Sequence, residues 1–485
     1  MDRSMYVSKY VSQFDIDDGN VLLVNALSGA VDIATRDLLP SLRADPSALP
    51  GDTLALLQRR GYLLPSAAEE VRLLEQLGDR AHSLRRGKRP REYIICPTYN
   101  CNLACTYCFE GTTTRSPEVM DDDCIDALFA AIDKLMKNES QPPTLQLFGG
   151  EPLLPSTKHT VARILHQGRR RGLKTNIVTN GVNVLLFADV INAYADSIIS
   201  FQITIDGPAE VHDQRRRFPG RANRGTFNQM VAAVDYLVRD GHKVWLRVNT
   251  DGHNIHSLPA LADLIEGAAW LDTGNFRCGI VPVQTHTGDT TYPYYMREDE
   301  VVARVTELFE QRPRIADAIS FEYYRLVNRI ANALDLGGQE YAGPNFHYCE
   351  SCMLDYLVFG VDGYIYPCPE AIAQPQFAIG RFDPALEIDE ERKALWEDRS
   401  ALKIPKCRDC EIVSFCAGGC AYAALYTHGD IYEPVCGDAK KVLAEYVKYA
   451  VKKKRLAADR PAATPTPQPK SPGDFVDQPP PAPSA

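Results

Sequence analysis

Cys101, Cys105 and Cys108 stand in the run CNLACTYC, three thiols in one short loop at C-x3-C-x2-C spacing. Eight more lie toward the C-terminus: Cys349, Cys352, Cys368, Cys407, Cys410, Cys416, Cys420 and Cys436. The chain has 14 cysteines in 485 residues, a density that in a reducing compartment reads as metal ligands or catalytic groups rather than disulfides. Three thiolates close together can hold three irons of a cubane 4Fe–4S cluster and leave the fourth iron open for chemistry. Structural zinc is the competing reading, but it wants four closed ligands, and no fourth Cys or His sits at suitable spacing near the first group. The C-x2-C pairs of the second group suit tetrahedral zinc as well as iron–sulfur clusters.

These residues must be positioned by the elements around them. Between Glu92 and Leu336 candidate strands alternate with amphipathic segments: Tyr93–Cys96, Leu145–Phe148, Lys174–Thr179, Ile198–Ile205, Val244–Thr250 and Phe276–Val281. Helical patterns lie between them at about Asp121–Met136, Thr157–Gly172, Val182–Ala195, Thr226–Asp240 and Leu258–Glu266. Six βα units in series imply a parallel sheet covered by helices, economically an open or partial barrel, with its site where the βα loops gather. The first cysteine group follows the first of these strands.

The flanks differ. Residues 1–88 read as a small α+β module, with strands at Tyr6–Val11 and Val21–Val24 and helices at Ala30–Leu39, Thr53–Arg60 and Ala67–Arg86. In an expected C-terminal domain of residues 338–450, Asn345–Cys436 holds the second cysteine group and little helical periodicity beyond Asp389–Glu397, so metal should organise it. A lysine-rich helix, Asp438–Lys454, follows and reads as a solvated face. The proline-crowded stretch 456–485 should be disordered.

A formal charge of −10, from 63 Asp and Glu against 53 Lys and Arg, excludes a global positive field and disfavours a nucleic-acid partner. No apolar stretch approaches the ~18 residues that span a bilayer, and the N-terminus lacks a signal-peptide core, so a cytoplasmic protein is expected.

The first cysteine loop, with Tyr107 before its third cysteine, resembles that of the radical S-adenosylmethionine (SAM) enzymes. The resemblance implies that the cluster's open iron chelates the amino and carboxylate groups of SAM, and that an electron then yields a 5′-deoxyadenosyl radical that abstracts hydrogen. It implies an electron donor such as flavodoxin or ferredoxin. Phe148–Gly149–Gly150–Glu151–Pro152 is similar to the family's GGEP segment, whose backbone meets the SAM amino group; glycines permit that approach. Thr179–Asn180–Gly181 and Thr204–Ile205–Asp206–Gly207 are similar to turns that close the family's third and fourth strands. His212, Asp213 and Arg216 fit an H-D-x-x-R pattern, in which Arg216 would pair with the SAM carboxylate or else be a surface arginine of the run RRR. The resemblance covers roughly residues 92–282 within an expected core of 89–337.

The C-terminal cysteines resemble, one for one, the SPASM domain that carries two auxiliary 4Fe–4S clusters in a subset of these enzymes. Interleaved ligation in that family implies Cys349, Cys352, Cys368 and Cys420 for one cluster and Cys407, Cys410, Cys416 and Cys436 for the other, three clusters in all. If Cys349 does not ligate, the first auxiliary cluster has an open iron. Cys96, Cys124 and Cys278 remain as small buried residues.

SPASM relatives include maturases that cross-link, epimerise or oxidise peptide and protein side chains. Those that mature sulfatases place an Asp directly after the cysteine equivalent to Cys368. Here Pro369 stands there and Glu370 follows, either a general base or an ordinary exposed carboxylate. The N-terminal module loosely resembles leader-peptide recognition elements, which bind a leader as an added strand; a plain capping domain is the alternative. The expected function is a radical SAM peptide or protein maturase. A sulfatase-maturing or small-molecule radical enzyme, and a zinc-stabilised peptide-binding scaffold without catalysis, are the alternatives.

Overall fold

The computed structural model describes residues 5–86, 90–112, 115–220, 224–288, 291–336 and 343–458. The expected domain boundaries near 88 and 337 fall outside these residues, as does the expected disordered tail beyond Ala458. Residues 456–458, assigned to that tail, instead complete the last helix, Ala439–Ala458.

Six parallel strands form the centre: β1 (Glu92–Ile95), β2 (Thr144–Leu147), β3 (Thr175–Thr179), β4 (Ile198–Thr204), β5 (Lys243–Thr250) and β6 (Phe276–Pro282). They lie in sequence order, each hydrogen-bonded to the next, as successive right-handed βα units require. The sheet does not close on itself. β1 instead pairs in parallel with β7 (Tyr356–Phe359), which continues antiparallel into β8 (Tyr364–Tyr366), β9 (Gly380–Arg381) and β10 (Glu387–Ile388). The C-terminal cysteine block is thus stitched to the barrel's first edge, beside the strand that leads into the first cysteine loop.

One side chain in two along these strands is buried under the outer helices: Tyr93, Ile95, Leu145, Leu147, Ile177, Phe201, Ile203, Val244, Leu246 and Val248. The intervening residues on the opposite face include Gln146, Asn176, Gln202 and Arg247, none of them fully buried. The helices answer with apolar stripes, such as Val161, Ile164 and Leu165 of Lys158–Arg170, each side chain contributing about 1.5–3 kcal/mol by burial. The helix Asp122–Leu135 starts where it does because the Asp121 carboxylate accepts from Cys124 N–H at 2.8 Å. The segment expected as one helix over Val182–Ala195 is shorter, a 3₁₀ turn at Val184–Phe187 running into Ala188–Ala193.

The N-terminal module departs from expectation. Tyr6–Val11 is not one strand: Tyr6–Val7 pairs with Leu63–Leu64, and Val11–Asp15 begins a three-stranded antiparallel sheet with Asn20–Asn25 and Val31–Thr35. Ala30–Leu39 is not a helix. The β-branched alternation of Val31, Ile33 and Thr35, delivered by a turn at Gly29 (φ 68°), wins over helical spacing, and the helix begins only at Leu38. The sheet buries both faces. Val21 and Leu23 pack on the module's own helices, whereas Leu22 and Val24 join the main core. Tyr10 Oη donates to the Arg408 carbonyl (2.7 Å) and Ser414 Oγ to the Ala26 carbonyl (2.5 Å), so the module rests on the C-terminal block.

The lysines of the last helix are mostly paired, Lys440 with Glu411, Lys448 with Glu445 and Lys452 with Glu310, which makes that face a solvated ion-pair surface. No helix among the described residues is long and apolar enough to cross a membrane.

Candidate active site

The first cysteine loop leaves the carboxyl end of β1 and is held on two sides. On one, Ala104–Cys105 pairs antiparallel with Arg216–Arg217, Cys105 opposite Arg216, and Thr106 N–H donates to the Arg215 carbonyl at 3.0 Å. On the other, the turn after β2 is pressed against residues 98–100. Glu151 N–H donates to the Asn100 carbonyl (2.8 Å), and a Cβ at Gly150 would lie 2.2 Å from that same oxygen. At Gly149 (φ 108°) a Cβ would lie 2.7 Å from the Thr98 carbonyl. The close approach that demands these glycines is therefore between two segments of the chain itself.

Glu151 is buried and faces inward. Its Oε1 accepts from Leu153 N–H (2.9 Å) and Thr179 Oγ1 (2.6 Å), its Oε2 from Asn180 N–H (2.6 Å). The side chain thus locks the second-strand turn to the third; burial raises its carboxyl pKa against those bonds. Asn180, so placed, donates to Asn102 Oδ1 (2.7 Å) and lies 3.8 Å from Cys101 Sγ, to which Leu103 N–H also donates at 3.4 Å. Pro152 ends this turn, and its carbonyl accepts from Thr157 Oγ1 at 2.5 Å.

Tyr107 does not face solvent. Its hydroxyl donates to Asp206 Oδ2 (2.5 Å) and accepts from Arg216 Nη1 (2.8 Å) and Asn249 Nδ2 (3.3 Å). Arg215, fully buried, reaches Asp206 Oδ2 through Nε (3.3 Å), Asp251 Oδ1 through Nη1 (2.5 Å) and the Asn249 carbonyl through Nη2 (2.8 Å), with its guanidinium 4.7 Å over the Tyr107 ring. Burial would raise the Asp206 carboxyl, but the charges of Arg215 and Arg216 outweigh it and hold the carboxyl below its usual range. His212 accepts from Asp206 N–H at 3.2 Å and is pushed down to about 4 by burial and by Arg216, so it is neutral. Asp213 caps the next helix, Phe227–Arg239, by accepting from Thr226 and Phe227 N–H.

The run RRR is therefore not a surface patch: Arg215 and Arg216 are buried and only Arg217 is exposed. Arg216 Nε, buried beside Cys105, has no hydrogen-bond partner. Thr204, at the end of β4, is likewise almost fully buried. Nothing in the spacing distinguishes Arg215 from Arg216. The network partners Asn249 and Asp251, at the end of β5, carry the weak signal that polar residues at carboxyl ends of barrel strands face a site.

In the C-terminal block two sets of thiols are electrostatic neighbours. Burial pushes the Cys368 thiol up, and so do Cys420 and Cys349; Cys352 N–H in turn donates to the Cys349 carbonyl at 3.2 Å. Cys407 feels Cys416, Cys436 and Cys410. Cys420 caps the helix Ala421–His428, its Sγ accepting from Ala423 N–H at 3.5 Å. Cys436 is exposed. Cys96, Cys124 and Cys278 are buried and stand apart from these sets.

Glu370, in the turn after Cys368, is not an ordinary surface carboxylate: its side chain is 22% exposed and Oε1 lies 3.6 Å from His286 Nε2. Burial pushes its carboxyl up, while His286 and Arg247, on β5, pull it down. Glu110, following the first cysteine loop, feels the Glu370 charge and is pushed up to about 7, chiefly by burial. The block thus turns Glu370 toward the barrel mouth. His286 was not apparent from any motif.

The donor sets fit iron–sulfur clusters. The first loop offers only thiols, amide N–H groups directed at sulfur, and an unpaired guanidinium N–H. Among the described residues no three Cys, His, Asp or Glu converge enough to hold a single metal ion, which a tetrahedral zinc requires. Ligands of a cubane each bind a different iron and stand farther apart.

Residues 95–265 match the radical SAM superfamily. Among curated relatives, the Fe-coproporphyrin III synthase of Methanosarcina barkeri is 24% identical over 188 residues, 38% of this chain and 44% of that protein. The cysteine-type anaerobic sulfatase-maturating enzyme of Clostridium perfringens is 19% identical over 348 residues, 68% of this chain and 89% of the enzyme. The chain spans about half the length of the first curated relatives it matches. Its fold is shared with anSMEcpe with bound AdoMet (TM-score 0.58, 16% identity, 77% of this chain and 96% of that one). It is also shared with Streptococcus suis SuiB bound to precursor peptide SuiA (TM-score 0.50, 14% identity, 90% and 99%). The cysteine loop, the strand-end turns around it and the family match coincide: the chain contains a radical SAM domain.

Proposed function

We propose that the chain is a radical SAM maturase that modifies a peptide or protein side chain. The observation that carries this reading is the cysteine loop at the carboxyl end of β1, braced against Arg216 on one flank and the GGEP turn on the other, at the mouth of an open barrel. Cys101, Cys105 and Cys108 hold the catalytic cluster, and the Gly149–Pro152 turn, Asn180, Thr204 and Arg216 border the place for SAM. When bound, the cluster and SAM would supply one-electron chemistry for removing hydrogen from the substrate. Tyr107, Asp206 and Arg215 keep the wall behind the loop rigid and dry, and Arg216 Nε offers a free N–H for an anionic group. Glu370 is the proton acceptor, held by His286 at the mouth.

The same reading gives the C-terminal sets one auxiliary cluster each, Cys349, Cys352, Cys368 and Cys420 in the first and Cys407, Cys410, Cys416 and Cys436 in the second. The backbone turn in which Cys352 N–H donates to the Cys349 carbonyl (3.2 Å) brings these two cysteines together and supports a fully ligated first cluster. Substrates of peptide kind are supported by the relationship to a sulfatase-maturating enzyme and by a fold shared with SuiB. Pro369 in the place of the sulfatase maturases' Asp argues against formylglycine formation. The outer strand of the N-terminal sheet, Val31–Thr35, carries an exposed Ile33 and pairs on one side only, which suits a leader peptide added as a strand. Iron and acid-labile sulfide analysis after anaerobic reconstitution tests the assignment. Close to three cubane clusters per chain are expected, and stoichiometric zinc without sulfide overturns it.

A further inference from the structure

Arg399 is among the largest fully buried side chains of the molecule. It stands in the turn after the helix Glu390–Glu397, in the stretch that leads to Cys407. Its guanidinium donates from Nε to the Ile431 carbonyl (2.8 Å), from Nη2 to the Gly418 carbonyl (2.9 Å) and from Nη1 to the Gly419 carbonyl (3.0 Å). Nη1 also lies 3.7 Å from Cys352 Sγ.

No carboxylate pairs with it among the described residues, unlike Arg215, the other fully buried arginine, which has Asp206 and Asp251. A guanidinium stays charged under any protein condition, and carbonyl dipoles alone do not balance a buried charge. The one contact able to carry negative charge is the Cys352 sulfur. The loop that receives two of the three carbonyl bonds leads directly into Cys420, and Ala417, Gly418 and Gly419 all take positive φ, which turns successive carbonyls inward to the same cation.

We infer that Arg399 is a positioning residue for the first auxiliary cluster, its buried charge and its N–H···S contact offsetting the negative charge gathered on Cys352 and its partners. The inference rests on the proposed ligation of that cluster. Net charge and hydrogen bonds to sulfur set the potential of an iron–sulfur cluster. A buried cation hydrogen-bonded to one ligand sulfur makes the cluster easier to reduce. Cys407, of the second set, also feels the Arg399 charge but has no hydrogen bond from it, so Arg399 acts more strongly on the first auxiliary cluster than on the second.

The test uses the full chain with Cys101, Cys105 and Cys108 replaced by Ala, so that only the auxiliary clusters remain, titrated by EPR against potential. Iron and sulfide content of this parent protein comes first: fewer than two clusters would reject the ligation assignment, independently of Arg399. With two clusters present, Arg399→Gln is expected to shift both couples to more negative potential, one clearly more than the other, and Arg399→Lys to fall between it and the parent. Full cluster content with both couples unmoved in Arg399→Gln overturns the inference. Should Arg399→Gln fail to assemble, pulsed EPR of the parent labelled with guanidino-15N arginine decides. A 15N coupling on one reduced cluster that disappears in Arg399→Lys supports the inference, and a coupling that persists there, or none in the parent, contradicts it.

Discussion

The two cysteine regions are built on opposite principles. The first loop is short and lies against finished structure: β1 feeds it, the GGEP turn abuts it, and a buried network of Tyr107, Asp206, Arg215 and Asp251 backs it. Around its cysteines the C-terminal block has short helices, such as Pro405–Arg408 and Val413–Cys416, and the short strands β8–β10 that extend the barrel sheet through β7. Its buried cation has carbonyls and one sulfur for partners. A site that must leave one iron open needs rigidity from the protein, whereas fully ligated clusters can themselves supply the rigidity. With the ligation proposed above, metal would be a ligand in the first region and part of the fold in the second.

The largest expected effect follows from that contrast. Removing iron with a chelator should open residues 343–436 to limited proteolysis while the barrel, 92–282, stays resistant; equal protection of both in the apo protein would erase the distinction. Next comes Gly150→Ala, whose methyl meets backbone that cannot swing aside. It should displace the Asn100–Cys101 segment and lose the first cluster's iron while the auxiliary clusters remain, as iron analysis and EPR would show.

Arg215→Met strips the charge from between Asp206 and Asp251 and leaves buried carboxylates unpaired. A loss of about 3–5 kcal/mol in barrel stability is expected, read as a lower urea midpoint. A change near zero would mean that the network does not brace the loop. The smallest effect concerns the N-terminal sheet: Ile33→Glu lies on an exposed edge and should alter stability by less than about 0.5 kcal/mol. It should weaken binding of a leader peptide encoded beside the gene, and unchanged binding would leave the module a cap.

Much of the barrel is legible in the chain because its strands carry a buried apolar residue at nearly every second position and are separated by amphipathic helices, each bounded by turn chemistry. The strand-end motifs are legible for a related reason, since glycines and acidic residues at those points answer local demands. Gly150 is required by Asn100, and Glu151 by Thr179 and Asn180. The segment Ala30–Leu39 misleads because its apolar residues satisfy both helical and strand spacing, and only pairing with Asn20–Asn25 decides. Arg215 and Arg399 are illegible for a deeper reason. Their roles depend on partners distant in the chain, Asp251 for one and Cys352 and Gly418 for the other, which no local pattern announces.

The central claim is that Cys101, Cys105 and Cys108 hold the cluster that cleaves SAM. The direct measurement is 5′-deoxyadenosine formed from SAM under a strong reductant by the reconstituted protein and by its triple Ala variant. Product is expected from the parent and none from the variant, with the variant's auxiliary clusters intact. Product still formed by the variant would contradict it.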